Sequence, residues 1–211
     1  MAHRFSEIMF TPSVKALQAQ FGSRGSYQRL AEPDAPARDR LSEKEAGFIM
    51  ARDSFYMASV SETGWPYVQH RGGPTGFLKT LDEQTIGFAD FRGNRQYVST
   101  GNLLRDDRVS LILMDYPNRR RLKILGHARI IDMDAEPTLI AALELPDYRA
   151  RVERGFLIRI AGIDWNCPQH ITPRFTENDI EALLEPHRHR ITELERENAE
   201  LRVRLANEAQ P

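Results

Sequence analysis

The stretch that decides the fold is residues 69–102, which read QHRGGPTGFLKTLDEQTIGFADFRGNRQYVSTGN. It carries two glycine-bearing basic loops, at residues 70–74 and 92–95, on either side of a hairpin with alternating apolar residues. Glycine lets a backbone approach a ligand closely, and a neighbouring arginine offers forked donors to a phosphate. Neither loop is a Walker A or Rossmann fingerprint, so the phosphate interpretation depends on the surrounding fold.

Outside this stretch the pattern from residue 55 to residue 131 is mostly that of β-strands. Asp82-Glu83 is a turn signal between two strand-like runs and predicts a hairpin. Gly126 indicates a bulge or a close approach by another group. Strands are predicted at residues 55–60, 67–70, 77–81, 85–89, 109–114, 122–131 and 156–163. Many short antiparallel strands with few long helices predict a barrel.

Short helices are predicted around these strands. Ser42-Glu43-Lys44-Glu45 has the form of a capping box and predicts a helix to about residue 51. A short helix over residues 13–21, capped by Ser13, is expected in a loosely structured N-terminal arm. Residues 94–104 suit a helix whose N-terminus lies in the Gly93-Asn94 loop.

The C-terminal tail has a different pattern, with alternating spacings of four and three. The residues at these spacings are Ile180, Leu184, His187, Ile191, Leu194, Asn198, Leu201 and Leu205. From Ile191 onward they form an a/d heptad seam, in which Asn198 at an a position favours a parallel two-stranded pairing. The alternative is a single amphipathic helix that lies on its own barrel. Pro186 is expected to divide the tail into two helices.

Composition limits the classes of function. The chain has 211 residues, 41% of them hydrophobic, and a formal net charge of −1, so no overall charge attracts nucleic acid or anionic membrane. Cys167 is the only cysteine, which excludes an intrachain disulfide. The N-terminus lacks the apolar core of a signal peptide, and no apolar run approaches the roughly 20 residues that span a bilayer. We therefore expect a cytoplasmic protein with neither a nucleic-acid nor a membrane partner.

Arg71 and Arg95 are the leading candidates for binding a phosphate, because each lies near glycine at a strand end or a helix start. A helix that begins near Asn94 would add free N–H groups and a positive dipole end, and Lys79 could add a third charge. The alternative is that these side chains are ordinary surface cations near turns, which composition alone favours.

A second candidate group lies at residues 164–170. Trp165 could cover a flat aromatic ligand by stacking, or could be a core or interface residue. Cys167 and His170 are too few ligands for a structural zinc site, and no metal is expected. No nucleophile motif or pair of acid/base carboxylates stands out, so catalytic residues stay unknown and any redox chemistry would come from a cofactor.

Taken together, these motifs resemble the pyridoxamine 5′-phosphate oxidase-like family, the flavin mononucleotide (FMN)-binding split barrels. The resemblance covers about residues 43–175. Arg71 followed by Phe77-Leu78-Lys79 matches the family's Arg and apolar-apolar-Lys positions. Phe88-Ala89-Asp90-Phe91 followed by Gly93-Asn94-Arg95 matches its aromatic strand and phosphate loop. Residues 121–126 resemble the family's Arg-Gln-Val strand, and Trp165 and Arg174 resemble residues of its C-terminal flavin segment.

The departures from the family pattern concern the substrate more than the cofactor. The Ser-Arg of the phosphate loop is Gly93-Asn94 here, and the flavin-contacting glutamine is Leu122. The C-terminal Arg-x-His-Asp-Arg segment that serves pyridoxal phosphate is replaced by residues 169–174, Gln-His-Ile-Thr-Pro-Arg. The chain therefore resembles a distinct subgroup and not the true pyridoxamine phosphate oxidases.

The resemblance implies a mainly β fold: a six-stranded antiparallel split β-barrel with flanking helices and a C-terminal helical or coiled-coil tail. The predicted domains are an N-terminal arm (1–41), an FMN-binding split-barrel domain (42–175) and a C-terminal helical tail (176–211). It also implies a homodimer with FMN at the subunit interface. The cofactor-binding residues it implies are Arg71, Gly72, Lys79, Phe88, Asp90, Gly93, Asn94, Arg95, Asn102, Trp165, Gln169 and Arg174.

The implied function is an FMN-dependent oxidoreductase that acts on a small organic substrate by hydride or electron transfer at the flavin. The alternative from another class is a non-catalytic flavin-binding sensor or carrier that recruits a partner through its C-terminal helix.

Overall fold

Seven antiparallel strands form one sheet in the computed structural model, which describes residues 3–31, 37–165 and 168–208. The spatial order of the strands is β2-β1-β5-β6-β7-β4-β3. In chain order they are β1 (Ser54–Val60), β2 (Pro66–Gly72), β3 (Lys79–Asp82), β4 (Thr85–Phe91), β5 (Arg108–Asp115), β6 (Arg120–Ile131) and β7 (Val152–Trp165). The mainly β antiparallel class is confirmed. The sheet has the seven strands that the sequence pattern predicts, one more than the six-stranded barrel that the resemblance implies. β3, predicted at residues 77–81, is a four-residue strand at the edge of the sheet that pairs with β4.

The sheet curls so that strands far apart in its order meet. β1 and β4 are separated by three strands, yet the rings of Phe55 and Phe88 lie 5.3 Å apart between their centroids. Phe88 stacks on Phe156 of β7 at 5.0 Å, and Phe55 stacks on Phe77 at 5.7 Å. All four rings are at least 98% buried. Such aromatic pairs add stability beyond the area they bury, so this cluster holds the curled sheet together.

Helices flank the sheet, and the capping box predicted at Ser42 is confirmed at the start of α4. The helices are α1 (Arg4–Met9), α2 (Pro12–Gln20), α3 (Arg24–Gln28), a 3-10 turn (Arg29–Ala31), α4 (Glu43–Met50), α5 (Val98–Leu103), α6 (Pro137–Leu143) and α7 (Glu177–Glu208). The arm thus holds more helix than the single short one predicted, and α2 is capped by Thr11 and not by Ser13. None of the helices in the described part of the chain is long and apolar enough to cross a membrane.

Two glycines let α6 lie closely against β4 and β7. A Cβ atom on Gly87 or on Gly155 would come 2.9 Å from a methyl carbon of Leu143, which is fully buried. Real Cβ atoms do not approach carbon that closely, so a side chain at either position would push the helix away. The position of α6 matters because its C-terminal end meets one of the predicted site residues.

The chain divides into two compact units, Met1–Asp115 with Arg119–Gln169, and Tyr116–Asn118 with His170–Pro211. The predicted domain boundaries stay a prediction. α7 belongs to the second unit and is continuous through Pro186, so the predicted division into two helices is wrong. A proline removes one N–H donor and crowds one carbonyl, and a helix of 32 residues retains its other hydrogen bonds on both sides. Cys167 and Asn166 lie outside the described residues.

Candidate functional site

A cavity of about 240 Å³ lies where the loop after β4 meets β2, β7 and the start of α5. Five residues predicted from the sequence line it: Arg71, Asp90, Gly93, Asn94 and Arg95. Six further residues complete the lining: Gln69, Phe91, Tyr97, Ser99, Thr100 and Glu153. The two basic loops of the 69–102 stretch therefore contribute to one polar cavity.

Arg71 and Asp90 form an ion pair at the base of this cavity. Arg71 Nη1 lies 2.6 Å from Asp90 Oδ1, and both side chains are close to nine-tenths buried. Burial lowers the pKa of Arg71, while the adjacent Asp90 carboxylate opposes that effect. Burial likewise raises the pKa of Asp90, opposed by the positive charges of Arg71 and Arg154. Part of the charge expected to bind a phosphate is thus engaged by a carboxylate.

One donor of Arg71 nevertheless lacks an acceptor. Among the described residues, its buried Nε makes no hydrogen bond. The guanidinium carbon lies 5.2 Å from the ring centroid of Phe156 and 5.7 Å from that of Phe88, so aromatic rings lie beside it. An unsatisfied buried donor costs stability and calls for a specific explanation, such as a ligand oxygen.

The loop of the cavity has strained backbone at two non-glycine residues. Arg95 has φ 62° and Tyr97 has φ 54°, both in the left-handed region that L-residues rarely adopt. Arg95 Nε donates to the hydroxyl oxygen of Tyr97 at 3.1 Å, and the Asn94 side chain accepts from the Gln96 N–H at 3.2 Å. Strain of this kind concentrates at functional sites.

The same loop corrects one prediction. α5 begins at Val98 and not at Gly93-Asn94, since the Asn94 side chain binds a backbone N–H locally and Tyr97 takes a left-handed conformation. Side chains such as Asn compete in this way with helical hydrogen bonding. The observed helix therefore starts four residues after Asn94.

Arg154 is a cation of this region that the sequence analysis missed. Its Nε lies 3.7 Å from Asp90 Oδ2, Nη1 donates to Thr100 Oγ1 at 3.2 Å, and Nη2 lies 2.9 Å from Glu153 Oε2. The guanidinium also lies over the Tyr97 ring at 4.8 Å. Arg154 reaches this position because β7 pairs with β4 in a register that sets it opposite Asp90. The strand pairing is the signal that would have identified it.

Gln69 and Ser99 are joined across the cavity by a hydrogen bond. Ser99 Oγ donates to Gln69 Oε1 at 2.7 Å, and Ser99 is buried. This bond attaches the first turn of α5 to β2, which fixes one wall of the cavity. Ser99 lay inside a segment singled out in the sequence, but its partner on β2 was not predicted.

Four other predicted residues have structural partners elsewhere in the first unit. Lys79 Nζ donates to two carbonyl oxygens at the C-terminal end of α6, at 2.8 and 2.7 Å, which suits a cation at that end of a helix. Phe88 is in the aromatic core, and Gly72 pairs with the first residue of β1. Asn102 is buried and donates to the side chain of Ser59 at 2.9 Å.

The three predicted residues of the C-terminal segment are not among those that line the cavity. Trp165 ends β7, where its Nε1 donates to Glu45 Oε1 at 2.6 Å. Gln169 is exposed. Arg174 belongs to the second unit, where its guanidinium lies 4.9 Å from the ring centroid of Tyr116. Their role toward a flavin stays a prediction.

A family model described as pyridoxamine 5′-phosphate oxidase matches residues 41–152, more than half of the chain. The chain belongs to this family, which is of the flavin-binding, oxidoreductase type. The match covers every residue that lines the cavity except Glu153, which follows its last residue, and the resemblance found in the sequence is confirmed. No curated protein matches the chain at a significant level.

Solved structures of similar fold share little sequence with the chain. A Lactobacillus delbrueckii protein provisionally called a pyridoxamine 5′-phosphate oxidase is 19% identical, with a TM-score of 0.46 over 60% of this chain and 94% of its own. HupZ of Group A Streptococcus is 13% identical, with a TM-score of 0.46 over 64% and 100%. An FMN-binding protein of Syntrophomonas wolfei is 11% identical, with a TM-score of 0.45 over 74% and 95%.

Proposed function

We propose that this protein is an FMN-dependent oxidoreductase that acts on a small organic substrate by hydride or electron transfer at the flavin. The observation that carries the proposal is the polar cavity, which combines Arg71, Arg95, Asn94 and Gly93 in a chain of a flavin-binding family. Guanidinium groups donate paired hydrogen bonds to a phosphate, and the backbone of a glycine lets a phosphate approach closely.

The donors around the cavity fit a phosphate group. Arg71 and Arg95 both line the cavity, the side chain of Arg95 is exposed, and a Cβ placed on Gly93 would have no atom within 4 Å of it. Asp90 opposes a bound dianion because it carries the same sign of charge. Arg154 is a second cation beside Asp90. It lies near enough to keep the Asp90 carboxylate paired while Arg71 binds the phosphate. The cluster can therefore share its charges with a ligand.

The size of the cavity supports a site completed by a second subunit. About 240 Å³ is smaller than the roughly 300–1,000 Å³ of typical ligand pockets. We propose that one chain holds only the polar end of FMN and that a homodimer interface supplies the remainder of the site. Trp165, Gln169 and Arg174 are the proposed contacts to the ring, and Gly72, Lys79, Phe88 and Asn102 support the phosphate side.

When bound, FMN supplies the acceptor for a hydride or for single electrons. The side chains of the chain bind and orient it: Arg71 and Arg95 hold the phosphate, and Asn94 adds a hydrogen bond. The Gln69–Ser99 bond holds the wall that these residues share. No side chain is assigned as the acid or the base, so the catalytic residues stay unknown.

The test compares FMN with riboflavin, which lacks the phosphate. The purified chain should bind FMN with the visible absorbance bands of a flavin and should bind riboflavin at least about tenfold more weakly, because buried charge pairs to the phosphate are lost. Equal affinity for the two flavins would contradict the phosphate site. A colourless protein that fails to bind added FMN would contradict flavin binding altogether.

Catalysis is tested by anaerobic reduction of the bound flavin with NADPH and with NADH, followed by a screen of small substrates that includes pyridoxamine 5′-phosphate. Bleaching at catalytic rates supports the oxidoreductase. A bound flavin that stays inert to every donor supports the second candidate, a flavin-binding sensor or carrier. That candidate is favoured by the exposed apolar face of α7, which suits recruitment of a partner.

A further inference from the structure

The helix α7 carries a continuous apolar seam that is exposed. The helix runs unbroken through Pro186, so the four-three spacing extends over about three and a half heptads. The part from Ile191 onward, taken alone, covers only about two heptads. The six aliphatic side chains of the seam are between 42% and 66% exposed. The seam is Ile180, Leu184, His187, Ile191, Leu194, Asn198, Leu201 and Leu205.

A 3.5-residue repeat sustained over this length is the pattern of a coiled coil and not of a helix lying on a globular surface, for which the repeat is 3.6. A helix that exposes most of its aliphatic side chains gains little stability from tertiary packing, which is the main source of helix stability in proteins. The seam therefore calls for a partner helix with the same repeat.

Charges beside the seam match a second copy of the same helix. In a parallel, in-register pair each g residue faces the e residue five positions further along the other helix. Arg190 then faces Glu195 of the second copy, and Glu197 faces Arg202. Both pairs are of opposite sign, and two-fold symmetry doubles them to four. In the single helix Arg190 Nη1 lies 2.9 Å from Glu193 Oε2. This ion pair is exposed, so replacing it with the pair between helices costs little free energy.

Asn198 decides the direction of pairing. An antiparallel pairing sets a residues against d residues, so Asn198 would face Leu194 or, where residues 180–205 overlap completely, His187 of the other helix, and not a second amide. The parallel arrangement sets Asn198 against Asn198 of the second copy, where the two amides can hydrogen-bond. A lone buried Asn at an a position is known to specify register and two-stranded state for this reason.

We propose that residues 180–205 of α7 dock with the same residues of a second copy as a parallel, in-register, two-stranded coiled coil, with Asn198 setting the register. This pairing requires no flavin, so its failure and the failure of the proposed function are separate outcomes.

The test uses site-directed disulfides in the full chain, in a Cys167→Ser background. Leu201→Cys places a thiol in the seam, and Val203→Cys places one on the outer face as the matched control. Paired seam positions come within the Cα separation that a disulfide requires, so mild oxidation should link Leu201→Cys at least about tenfold faster than Val203→Cys. Equal rates for the two variants, or no linked dimer, would overturn the pairing.

A mixture of two single-cysteine chains tests the direction. In an antiparallel pairing residue 201 meets residue 191 of the other copy when Asn198 faces Leu194, and residue 184 when Asn198 faces His187. Ile191→Cys or Leu184→Cys mixed with Leu201→Cys would then form the mixed disulfide, while Leu201→Cys alone would not link. That result would overturn the parallel assignment. Self-linking of Leu201→Cys without a preferred mixed product supports it.

Charge reversal tests the register without relying on a cysteine in the seam core. In the Leu201→Cys chain, Glu195→Arg should slow linking roughly fivefold because it sets Arg190 against another arginine, and Arg190→Glu added to it should restore the rate. Glu200→Arg makes the same change of charge on the outer face and should leave the rate unchanged. If Glu195→Arg and Glu200→Arg behave alike, the proposed register is wrong.

Discussion

At the scale of single residues, Arg71 and Asp90 determine the charge balance of the cavity. They meet at 2.6 Å with both side chains nearly buried, so neither charge is well hydrated. Removing one partner from such a pair leaves an uncompensated buried charge, which is strongly destabilising. Arg154, 3.7 Å from Asp90, is a second cation beside that carboxylate, and in the proposed site it keeps Asp90 paired when Arg71 binds a phosphate. The site is thus a shared set of charges and not a single free arginine.

Arg95 is the residue whose role is easiest to isolate by mutation. Its side chain is exposed and its backbone is left-handed, so Arg95→Ala removes the guanidinium and keeps the strain, whereas Arg95→Gly removes both. We expect both variants to bind FMN roughly three- to tenfold more weakly, the modest loss typical of an exposed charge pair. Fluorescence titration with FMN measures this loss.

Riboflavin provides the control for Arg95, since its affinity should not change in either variant. The melting temperature of Arg95→Gly should be no lower than that of Arg95→Ala, because glycine relieves the left-handed backbone. An unchanged affinity for FMN in both variants would move the phosphate site away from this loop.

At the scale of elements, β7 organises the site because it pairs with two strands at once. Its 14 residues run beside both β4 and β6. The pairing with β4 brings Arg154 to Asp90, and the pairing with β6 shifts register at Leu125/Gly126. A register shift redirects the side chains that follow it, so the shift helps to determine which residues of β7 face the core.

Gly126 is required at that shift for steric reasons. A Cβ there would lie 2.7 Å from the carbonyl oxygen of Arg159 and 2.7 Å from Cγ2 of Ile158. Gly126→Ala should therefore lower the free energy of unfolding by about 1–3 kcal/mol, the usual cost of overpacking. Urea denaturation of the purified variant measures the change.

Gly47→Ala is the matched control for Gly126→Ala. Gly47 lies within α4, and a Cβ added there would have no atom within 4 Å of it, so alanine should stabilise the protein by about 0.5–1 kcal/mol. If Gly126→Ala unfolds at the same urea concentration as the unaltered chain, the close contact at the bulge does not constrain the sheet.

At the scale of the whole molecule, the curled sheet and the C-terminal helix are separate units of the chain. The sheet unit contains the cavity, and the helix unit contains the exposed seam. If the proposed barrel interface and the proposed helix pairing both form, they reinforce each other, because the first contact raises the effective concentration of the second.

Removal of residues 176–211 tests this combination. We expect the shortened chain to bind FMN in the same molar ratio at high protein concentration, since the cavity lies wholly in the first unit. Its dimer should dissociate at roughly 10²-fold higher concentration, because one of two linked contacts is lost. Analytical ultracentrifugation across a dilution series measures this. An unchanged dissociation constant would show that the tail contributes nothing to self-association.

Features set by neighbouring residues could be predicted from the sequence. The capping box at Ser42, the hairpin at Asp82-Glu83, the irregularity at Gly126 and the C-terminal helix all depend on residues close together in the chain. Local propensity and turn chemistry determine such features before any distant contact forms. The gathering of Gly93, Asn94 and Arg95 beside Arg71 followed from their positions on either side of one hairpin.

The distant partners of Lys79 and Arg154 were decided by the tertiary structure alone. Lys79 caps α6 through carbonyl oxygens more than 60 positions away, and Arg154 reaches Thr100 and Asp90 through the pairing of β7 with β4. The sequence by itself determined a mainly β chain with a basic, glycine-bearing pair of loops. Which cation remains available to a ligand depends on strand order and register, because these bring carboxylates and carbonyls from distant segments within hydrogen-bond reach.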